Sequence, residues 1–512
     1  MIEADDSDGR AIGELSGMRV GRGVVGVAAG LVMVVLAALG YVLPPPFDPS
    51  PLVPDPAFRT LPAQPADELR PVPAAASITV EEVTVPARGT DLRATVRAPR
   101  APGRHPAMVF VQGAGPGLRE EFTEQAEWLA RAGIVTLVYD KRTVGYDFRH
   151  RDFGLLADDA LRMLAVLRGR PDVDPGRAGL WGVSEGSWVV PIAASRSADV
   201  GFAVLVSAPN VSPLRQVSWA LGEQLDRLRA PSGVRELLIR AMSAVDMNFL
   251  RHDGVPALRG VRRPVLALYG TRDPSIPFVE SSQTLTRALA EGGDPAYTIR
   301  YLAGADHGMR VDGGPFAAGY LETLANWVTG LPGTAEPEVP VAGATPVQRY
   351  EASDVPTAPW YASGTVLGFT LFLAAVGYVA GPVAALAIRL RGGDGAAAGA
   401  RLWPPIRRRF RRMAQTGVGL LVSVAAFITL LVLFSVNQAG AWPAVLAGWL
   451  VVRALALLML LQEVTATAAV VSALREGWQP SRPQYVAVAG VLGSTGLLLV
   501  AAAYYGLFAF PW

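Results

Sequence analysis

"AGLWGVSEGSWVVPIAASR", residues 178–196, is the stretch that decides the fold. An apolar run, AGLWGV, passes without a linker into EGSWVVPIAASR, a small-residue and apolar segment that reads as a helix. At the junction stands Gly182-Val183-Ser184-Glu185-Gly186, a serine flanked at two residues' distance by glycine on either side. A strand that turns sharply into a helix brings backbone against backbone and leaves no room for side chains beside the turn. This is the requirement of a nucleophile elbow, and Gly-x-Ser-x-Gly meets it. An ordinary turn serine needs neither glycine. In a chain with 54 glycines the motif still has to be judged by its surroundings.

Outward from the elbow, residues 77–330 alternate short apolar strands with amphipathic helical stretches. ITVEEVTV (78–85) and LRATVRA (92–98) read as a leading hairpin. AMVFVQ (107–112), IVTLVY (134–139), AGLWGV (178–183), FAVLVS (202–207), PVLALYG (264–270) and TIRYLA (298–303) read as further strands. REEFTEQAEWLARAG and DFGLLADDALRMLAVLRGR carry apolar residues at helical spacing. The alternation predicts an α/β fold, a mostly parallel sheet with helices on both faces. Residues 211–258 exceed what one crossover requires and read as a helical lid.

The chain has 512 residues, 51% of them hydrophobic, which is too apolar for a purely soluble protein. Residues 24–43 form an uncharged run long enough to cross a bilayer, preceded by Arg10, Arg19 and Arg22. They read as a transmembrane anchor, with a signal peptide cleaved near Ala38-Leu39-Gly40 as the alternative. Residues 1–23 are then a cytoplasmic N-terminus, and the Pro-rich residues 44–76 a spacer that holds the next domain away from the membrane. A second spacer covers 331–359. Residues 360–512 predict an all-α transmembrane region of four helices, uncharged in the spans but for Arg453 and Glu463. An unpaired arginine at mid-span would be costly, so Arg453 either meets backbone carbonyls or has a polar partner on another span.

Between the second and third spans Arg389, Arg391, Arg401, Arg407, Arg408, Arg409, Arg411 and Arg412 face a single Asp394. Cytoplasmic segments keep such an excess. Counting spans from there puts the N-terminus inside and residues 77–330 on the extracytoplasmic side. The net charge of +2 makes no case for nucleic acid, and the absence of cysteine excludes disulfides, thiolate metal sites and a cysteine nucleophile. Lys141 is the one lysine. Arginine preference with 54 glycines and 41 prolines suggests a high-GC bacterial genome, hence a multi-pass protein of a bacterial cell membrane.

A serine nucleophile needs an imidazole to take its proton and a carboxylate to orient the imidazole. On a doubly wound hydrolase sheet they follow the serine in the order Asp or Glu, then His. Of His105, His150, His252 and His307, only the last two follow Ser184. His252 sits in the lid segment beside Asp253, where a solvated surface histidine is expected. His307 lies in Gly304-Ala305-Asp306-His307-Gly308, just past a strand, which is where a base reaches an elbow. Asp273, just past the preceding strand, is the candidate carboxylate, ahead of Asp253, Asp294 and Asp306. For the oxyanion, one backbone N–H comes from Glu185 and a second from the glycine-rich loop 112–117, with Ala114 first and Gly113 next. Asp140, Lys141 and Arg142 read as a structural turn. No metal or organic cofactor is required.

"VFVQGAGPG", "VYDKRTVG", "GVSEGSWVVPIAA", "VSAPNVSP", "LYGTRDPSIP" and "GADHG" together resemble an α/β-hydrolase of the serine aminopeptidase and dienelactone-hydrolase-like esterase group, over residues 77–330. Gln112 stands where many relatives carry histidine, and "KRTVG" replaces Lys-Arg-Gly-x-Gly. The resemblance implies a serine hydrolase acting on an ester, thioester or amide; with the apolar spans it becomes a membrane-anchored one, its substrate a small or lipid-like acyl compound and its surroundings membrane lipids. An acyltransferase with the same triad is the alternative. From a different class, a membrane transport or sensor protein would use the α/β domain for binding only.

Overall fold

The computed structural model describes residues 22–510 except 74–76, 148, 246, 294–295, 401, 403 and 437–441; side chains of 22, 392–400 and 432–436 are also left aside. In chain order the helices and strands are α1 (Arg22–Val42), α2 (Pro56–Arg59), β1 (Ile78–Ala87), β2 (Thr90–Pro99), β3 (His105–Val111), α3 (Thr123–Arg131), β4 (Val135–Tyr139), α4 (Phe153–Arg168), β5 (Val173–Val183), α5 (Gly186–Arg196), β6 (Ala203–Val206), α6 (Pro213–Arg227), α7 (Ser232–Ser243), α8 (Val255–Gly260), β7 (Val265–Gly270), α9 (Phe278–Gly292), β8 (Tyr297–Leu302), α10 (Tyr320–Gly330), β9 (Val341–Gly343), α11 (Gly364–Ala400), α12 (Pro404–Val436), α13 (Trp442–Arg475) and α14 (Arg482–Tyr504). They fall into two compact units. One holds Asp48–Gln224 and Asp246–Val355; the other holds, among the described residues, those up to Phe47, Leu225–Val245 and those from Pro356 onward.

The first unit is built on a sheet of order β1-β2-β4-β3-β5-β6-β7-β8-β9. The β1–β2 hairpin is antiparallel, β2 pairs antiparallel with β4, and the pairings from β4 through β9 are parallel. Side chains alternate between faces: Ala107, Val109 and Val111 pack into one core cluster, Met108 and Phe110 into the other. Burial on both faces is what makes these strands read as continuous apolar runs. The chain passes from β3 outward to β4 and then back to β5 on the other side of β3, so the strand order reverses there. A crevice at the carboxyl ends of strands next to such a reversal is the usual ligand position. Ser184 follows β5 at that edge.

The two spacers differ from expectation. Phe58 and Leu61 are buried in the same cluster as the β3 and β5 side chains, and the Gly343 N–H donates to the Pro62 carbonyl at 2.9 Å. The second spacer supplies β9, which extends the sheet beyond β8, and buries Ala352 and Val355. Prolines removed donors without removing apolar contact: a proline-rich segment lies along a surface as readily as it extends into solvent. A buried charge fastens the first spacer. Arg300 on β8 is fully buried; its Nε donates to Glu68 Oε2 at 2.6 Å, its Nη2 pairs with Oε1, and its Nη1 donates to the Ile299 and Pro340 carbonyls.

The second unit contains the five described helices long and apolar enough to cross a membrane: Gly23–Val42, Gly364–Arg391, Pro404–Leu431, Trp442–Arg475 and Arg482–Tyr504. Close packing of α11 on α14 rests on small residues, for a Cβ on Gly490 would come 2.5 Å from the Gly377 carbonyl oxygen. Arg453 is buried on α13, its Nη2 donating to the Ala509 carbonyl at 2.9 Å and its guanidinium near the Trp449 and Phe510 rings. Backbone carbonyl contact is thus one way the chain accommodates it. Arg389 and Arg391 stand on α11, and Arg407 to Arg412 on the first turns of α12, so these basic residues are helical, while Arg401 lies outside the described residues. Arg10 and Arg19 lie outside the described residues.

The lid also differs from expectation. Its residues 225–245, including α7, group with the membrane helices instead of the sheet. Gly233 lies against the Trp449 indole, where a Cβ would come within 2.6 Å of a ring carbon, and Arg240 Nη1 donates to the Tyr504 carbonyl at 2.7 Å. The apolar face of α7 is buried in that bundle.

Removing the Glu68 carboxylate leaves the Arg300 guanidinium buried and uncompensated, a change that costs about 3–5 kcal/mol in comparable sites. Glu68→Ala is therefore expected to lower the unfolding free energy of the sheet unit by that amount and its denaturant midpoint correspondingly, read by tryptophan fluorescence of the full chain in detergent. A wild-type midpoint would return residues 48–72 to the status of a free spacer.

Candidate active site

The elbow forms because its glycines are sterically required. A Cβ on Gly182 would come 2.5 Å from the Gly186 carbonyl oxygen, and one on Gly186 would fall on the carbonyl of Val111 at the end of β3. Between them Ser184 adopts φ 53°, the left-handed region that a non-glycine residue enters only when its surroundings hold it there. Its N–H donates to the Val206 carbonyl at 3.0 Å, which ties the turn to the end of β6.

The next residue, Ser207, also has a positive φ, 47°, and its Oγ donates to the His307 carbonyl at 2.9 Å. Successive residues at the end of β6 thus hold the elbow and the histidine loop. His307 follows β8, and its Nδ1 lies 2.8 Å from Asp273 Oδ2, with the Asp273 side chain buried. The other Asp273 oxygen accepts the Ser275 N–H at 2.7 Å. Gly270 lets the two loops approach, since a Cβ there would meet the Ala305 and Asp306 carbonyls. Burial alone would lower the His307 pKa, but the charge and hydrogen bond of Asp273 outweigh it, and the net shift is upward from 6.5.

The competing residues have other contacts. Asp306 Oδ1 accepts the Gly308 and Arg310 N–H groups and closes its own turn. Asp253 Oδ1 accepts the Val255 N–H. Asp294 lies outside the described residues. His252 is not the solvated residue expected: its ring meets Phe153 edge-on at 4.8 Å, its Nε2 is buried, and burial lowers its pKa. An aromatic floor under the lid segment, not visible in local sequence, covers it.

The glycine-rich loop passes directly beside the serine, for a Cβ on Gly113 would come 3.5 Å from Ser184 Cβ. Ala114 is the next, exposed residue. The loop is held by Lys141, whose backbone N–H donates to the Gly117 carbonyl at 2.8 Å and whose ammonium donates to the Gly113 carbonyl. The same ammonium lies 2.8 Å from Glu185 Oε1. Glu185 also accepts from Tyr146 OH at 2.6 Å and from Arg151 Nη1 at 2.5 Å, its side chain almost completely buried. Burial holds the Lys141 pKa below its ordinary value, the Glu185 charge opposing this only in part. Gln112, in the position of the relatives' histidine, donates to the Tyr139 carbonyl and so ties β3 to β4.

Lys141 is therefore more than a turn residue, and Lys141, Tyr146 and Arg151 were missed in the sequence. Their bonds span 34 to 44 residues to Glu185, which no local pattern reports. One signal was available: a single lysine among 46 basic residues marks a place where a compact ammonium suits better than a guanidinium fork.

Residues 120–328 match the Prolyl oligopeptidase family. Esterase EstD of Thermotoga maritima is 31% identical over 168 residues, 31% of this chain and 39% of that protein. Polyketide transferase ATR5 of Stachybotrys chlorohalonatus is 29% identical over 136 residues, 24% of this chain and 46% of that protein. The chain thus spans less than half the length of either curated relative. A crystal structure described as a putative dienelactone hydrolase from Klebsiella pneumoniae superposes with a TM-score of 0.36 at 18% identity, covering 49% of this chain and 95% of that one. The family match, the order of the parallel sheet and the elbow that follows β5 together give the first unit an α/β-hydrolase fold.

Proposed function

We propose that the protein is a membrane-anchored serine hydrolase that cleaves an ester, thioester or amide through an acyl-enzyme on Ser184. The observation that carries the reading is Ser184 at φ 53° on its elbow, on the same strand-end edge as the 2.8 Å Asp273–His307 pair. In this mechanism neutral His307 takes the Ser184 proton and the alkoxide attacks the carbonyl. Asp273 keeps the imidazole oriented and stabilises the imidazolium that forms. The Glu185 N–H, with the Ala114 or Gly113 N–H, receives the oxyanion. His307 then returns the proton to the leaving group, and water repeats the sequence to release the acid.

Lys141 supports the same step as a positioning residue. It joins the side chain of Glu185, one proposed oxyanion donor, to the Gly113 carbonyl, which shares a peptide group with the Ala114 N–H, and with Arg151 leaves the cluster one positive charge in excess. A net cation in a dry site favours developing negative charge. Acyl transfer to an acceptor other than water is the second reading, favoured by the match to a protein named as a polyketide transferase. Product analysis with and without alcohol or amine acceptors separates the two.

In this reading the α/β unit faces the extracytoplasmic side of a bacterial membrane, because the basic residues of α11 and α12 stay inside. Protease added to intact spheroplasts is then expected to cleave within residues 48–355. Protection of that region until lysis would reverse the orientation.

A fluorophosphonate probe is expected to label the wild-type protein at Ser184 and to leave Ser184→Ala unlabelled. Ser184→Ala and His307→Ala should each lower turnover by about three or more orders of magnitude, Asp273→Asn somewhat less. Lys141→Met should lower kcat by about tenfold or more, by comparison with loss of one oxyanion donor, and change KM less. Undiminished labelling of Ser184→Ala would reject the nucleophile.

The pH profile follows from the Asp273–His307 pair. The base acts when neutral, and its pKa is raised above 6.5, so kcat/KM should rise with pH through an apparent pKa above 6.5 and then level. Asp273→Asn removes the charge that raises it, and should move the residual profile to lower pH. An unmoved profile would mean that another group sets it.

A further inference from the structure

We propose that an apolar cavity of the membrane unit, half open to its surroundings, is a binding site for one acyl chain of a bilayer lipid, with α7 as one of its walls. The cavity holds about 370 Å³. Leu237 and Ala241 of α7 line it together with Leu371 of α11, Val424 of α12 and Leu498 and Ala502 of α14. Among the lining residues only Tyr505 carries a polar side-chain group.

Water has no place in such a space. A buried water needs two to four polar partners, and an apolar cavity of this kind stays dry or takes an apolar guest. Leaving it empty forfeits the dispersion contacts of every wall. For a bundle of spanning helices the abundant apolar guest is lipid hydrocarbon. If a methylene takes about the volume of a liquid water molecule, roughly 30 Å³, the space suits a chain segment of about twelve carbons. A partner helix would need a groove about 10 Å across along its whole length, which a cavity of this volume does not provide.

Depth and charge favour a lipid chain entering from one leaflet. Leu371 stands seven residues from the start of α11, about 10 Å along its axis, and Leu498 and Ala502 occupy the last two turns of α14. Val424 lies about 25 Å along α12 from Arg407, so the cavity is at the opposite end of the bundle from the arginine-rich turns. Next to the lining residue Ala241 is Arg240, which donates to the carbonyl of Tyr504 beside the lining residue Tyr505. A guanidinium one residue from two wall positions suits the ester and phosphate oxygens of a lipid whose chain fills the cavity. Glu236 shares that guanidinium, Arg240 Nη2 donating to it at 2.7 Å.

This site goes beyond the hydrolase reading and does not depend on Ser184. The test uses the full chain in nanodiscs of phosphatidylcholine containing a small fraction of phosphatidylglycerol with a diazirine in one acyl chain. After irradiation, cross-linked peptides are mapped by mass spectrometry. The outward face of α1, where Val27, Leu31 and Val34 are exposed, serves as the reference for ordinary surrounding lipid. Cross-links to α7 and to the last turns of α14 should exceed those to α1 by about tenfold or more per residue, a modest preference of order RT ln 10. Filling the cavity with Ala241→Phe and Ala502→Phe together should bring that ratio to about one. If the double variant does not fold, a wild-type measurement decides alone: moving the diazirine from the chain to the headgroup should shift the cross-links from the cavity walls Leu371, Val424 and Leu498 to the neighbourhood of Arg240 and Tyr504. A wild-type ratio no different from α1 overturns the site. Equal enrichment by free palmitic acid carrying the same diazirine overturns the assignment to a lipid.

Discussion

The contact on which the site depends is the approach of Gly186 to the Val111 carbonyl, backbone against backbone at the ends of β5 and β3. It forces the chain to leave β5 through a residue with positive φ, and that residue is Ser184. A left-handed serine costs about 1–3 kcal/mol and persists only where surrounding bonds over-determine it. Here the bond from the Ser184 N–H to the Val206 carbonyl does so, together with the Ser187 N–H to the Ser184 carbonyl at 2.9 Å. The same geometry starts α5 immediately and lifts the serine side chain out of both structures. Ser207 repeats the device one strand over, with its own positive φ and its bond to His307. The strained residues lie at the carboxyl edge of the sheet, where the strand order reverses.

The charges around this edge are divided by burial. Asp273 is buried against a histidine and one backbone N–H, an arrangement that keeps the imidazole oriented. Glu185 is buried against three donors, two of them cationic. Desolvating a carboxylate costs several kcal/mol, and a single counter-ion does not reliably offset that. Two cations and a phenol do so while bracing the loop that carries Gly113. Charge pairs of this kind add little to net stability, so their value here is geometric: they fix backbone N–H groups beside a serine.

Most of the sheet was legible because parallel strands buried on both faces are short, apolar and punctuated by glycine. Ser184, Asp273 and His307 were singled out by chain order and by their position just past strands. What escaped is what depends on long-range contact. The proline-rich 48–72 looked extended because its composition lacks a helical or strand period, yet Phe58 and Leu61 supply apolar anchors and Glu68 a partner for Arg300, more than 230 residues away. Lys141 looked like a turn residue because it stands in sequence between Asp140 and Arg142, and the fold pairs those two elsewhere, with Arg119 and Asp159. His252 looked solvated because Asp253 stands beside it, while Phe153, about a hundred residues earlier, covers its ring. In each case the sequence displays the group, and the fold supplies the partner.

The segment between β6 and β7 shows how far one insertion can alter an α/β unit. Residues 225–245 carry the small residue Gly233, the apolar Leu237 and Ala241, and the cation Arg240, each engaged with the membrane bundle by packing or by a bond to a backbone carbonyl. Amphipathic lid helices of soluble hydrolases must cover their apolar face with the sheet domain or with substrate. Here the apolar face of α7 is satisfied by the long apolar helices of its own unit. The α/β chain before and after the insertion is continuous with it, through Gln224 on one side and Asp246 on the other. The insertion leaves the sheet just past Ser207, at the carboxyl end of β6, and returns at the amino end of β7, so Ser207 adjoins it in the chain and the turn of Asp273, past the opposite end of β7, does not.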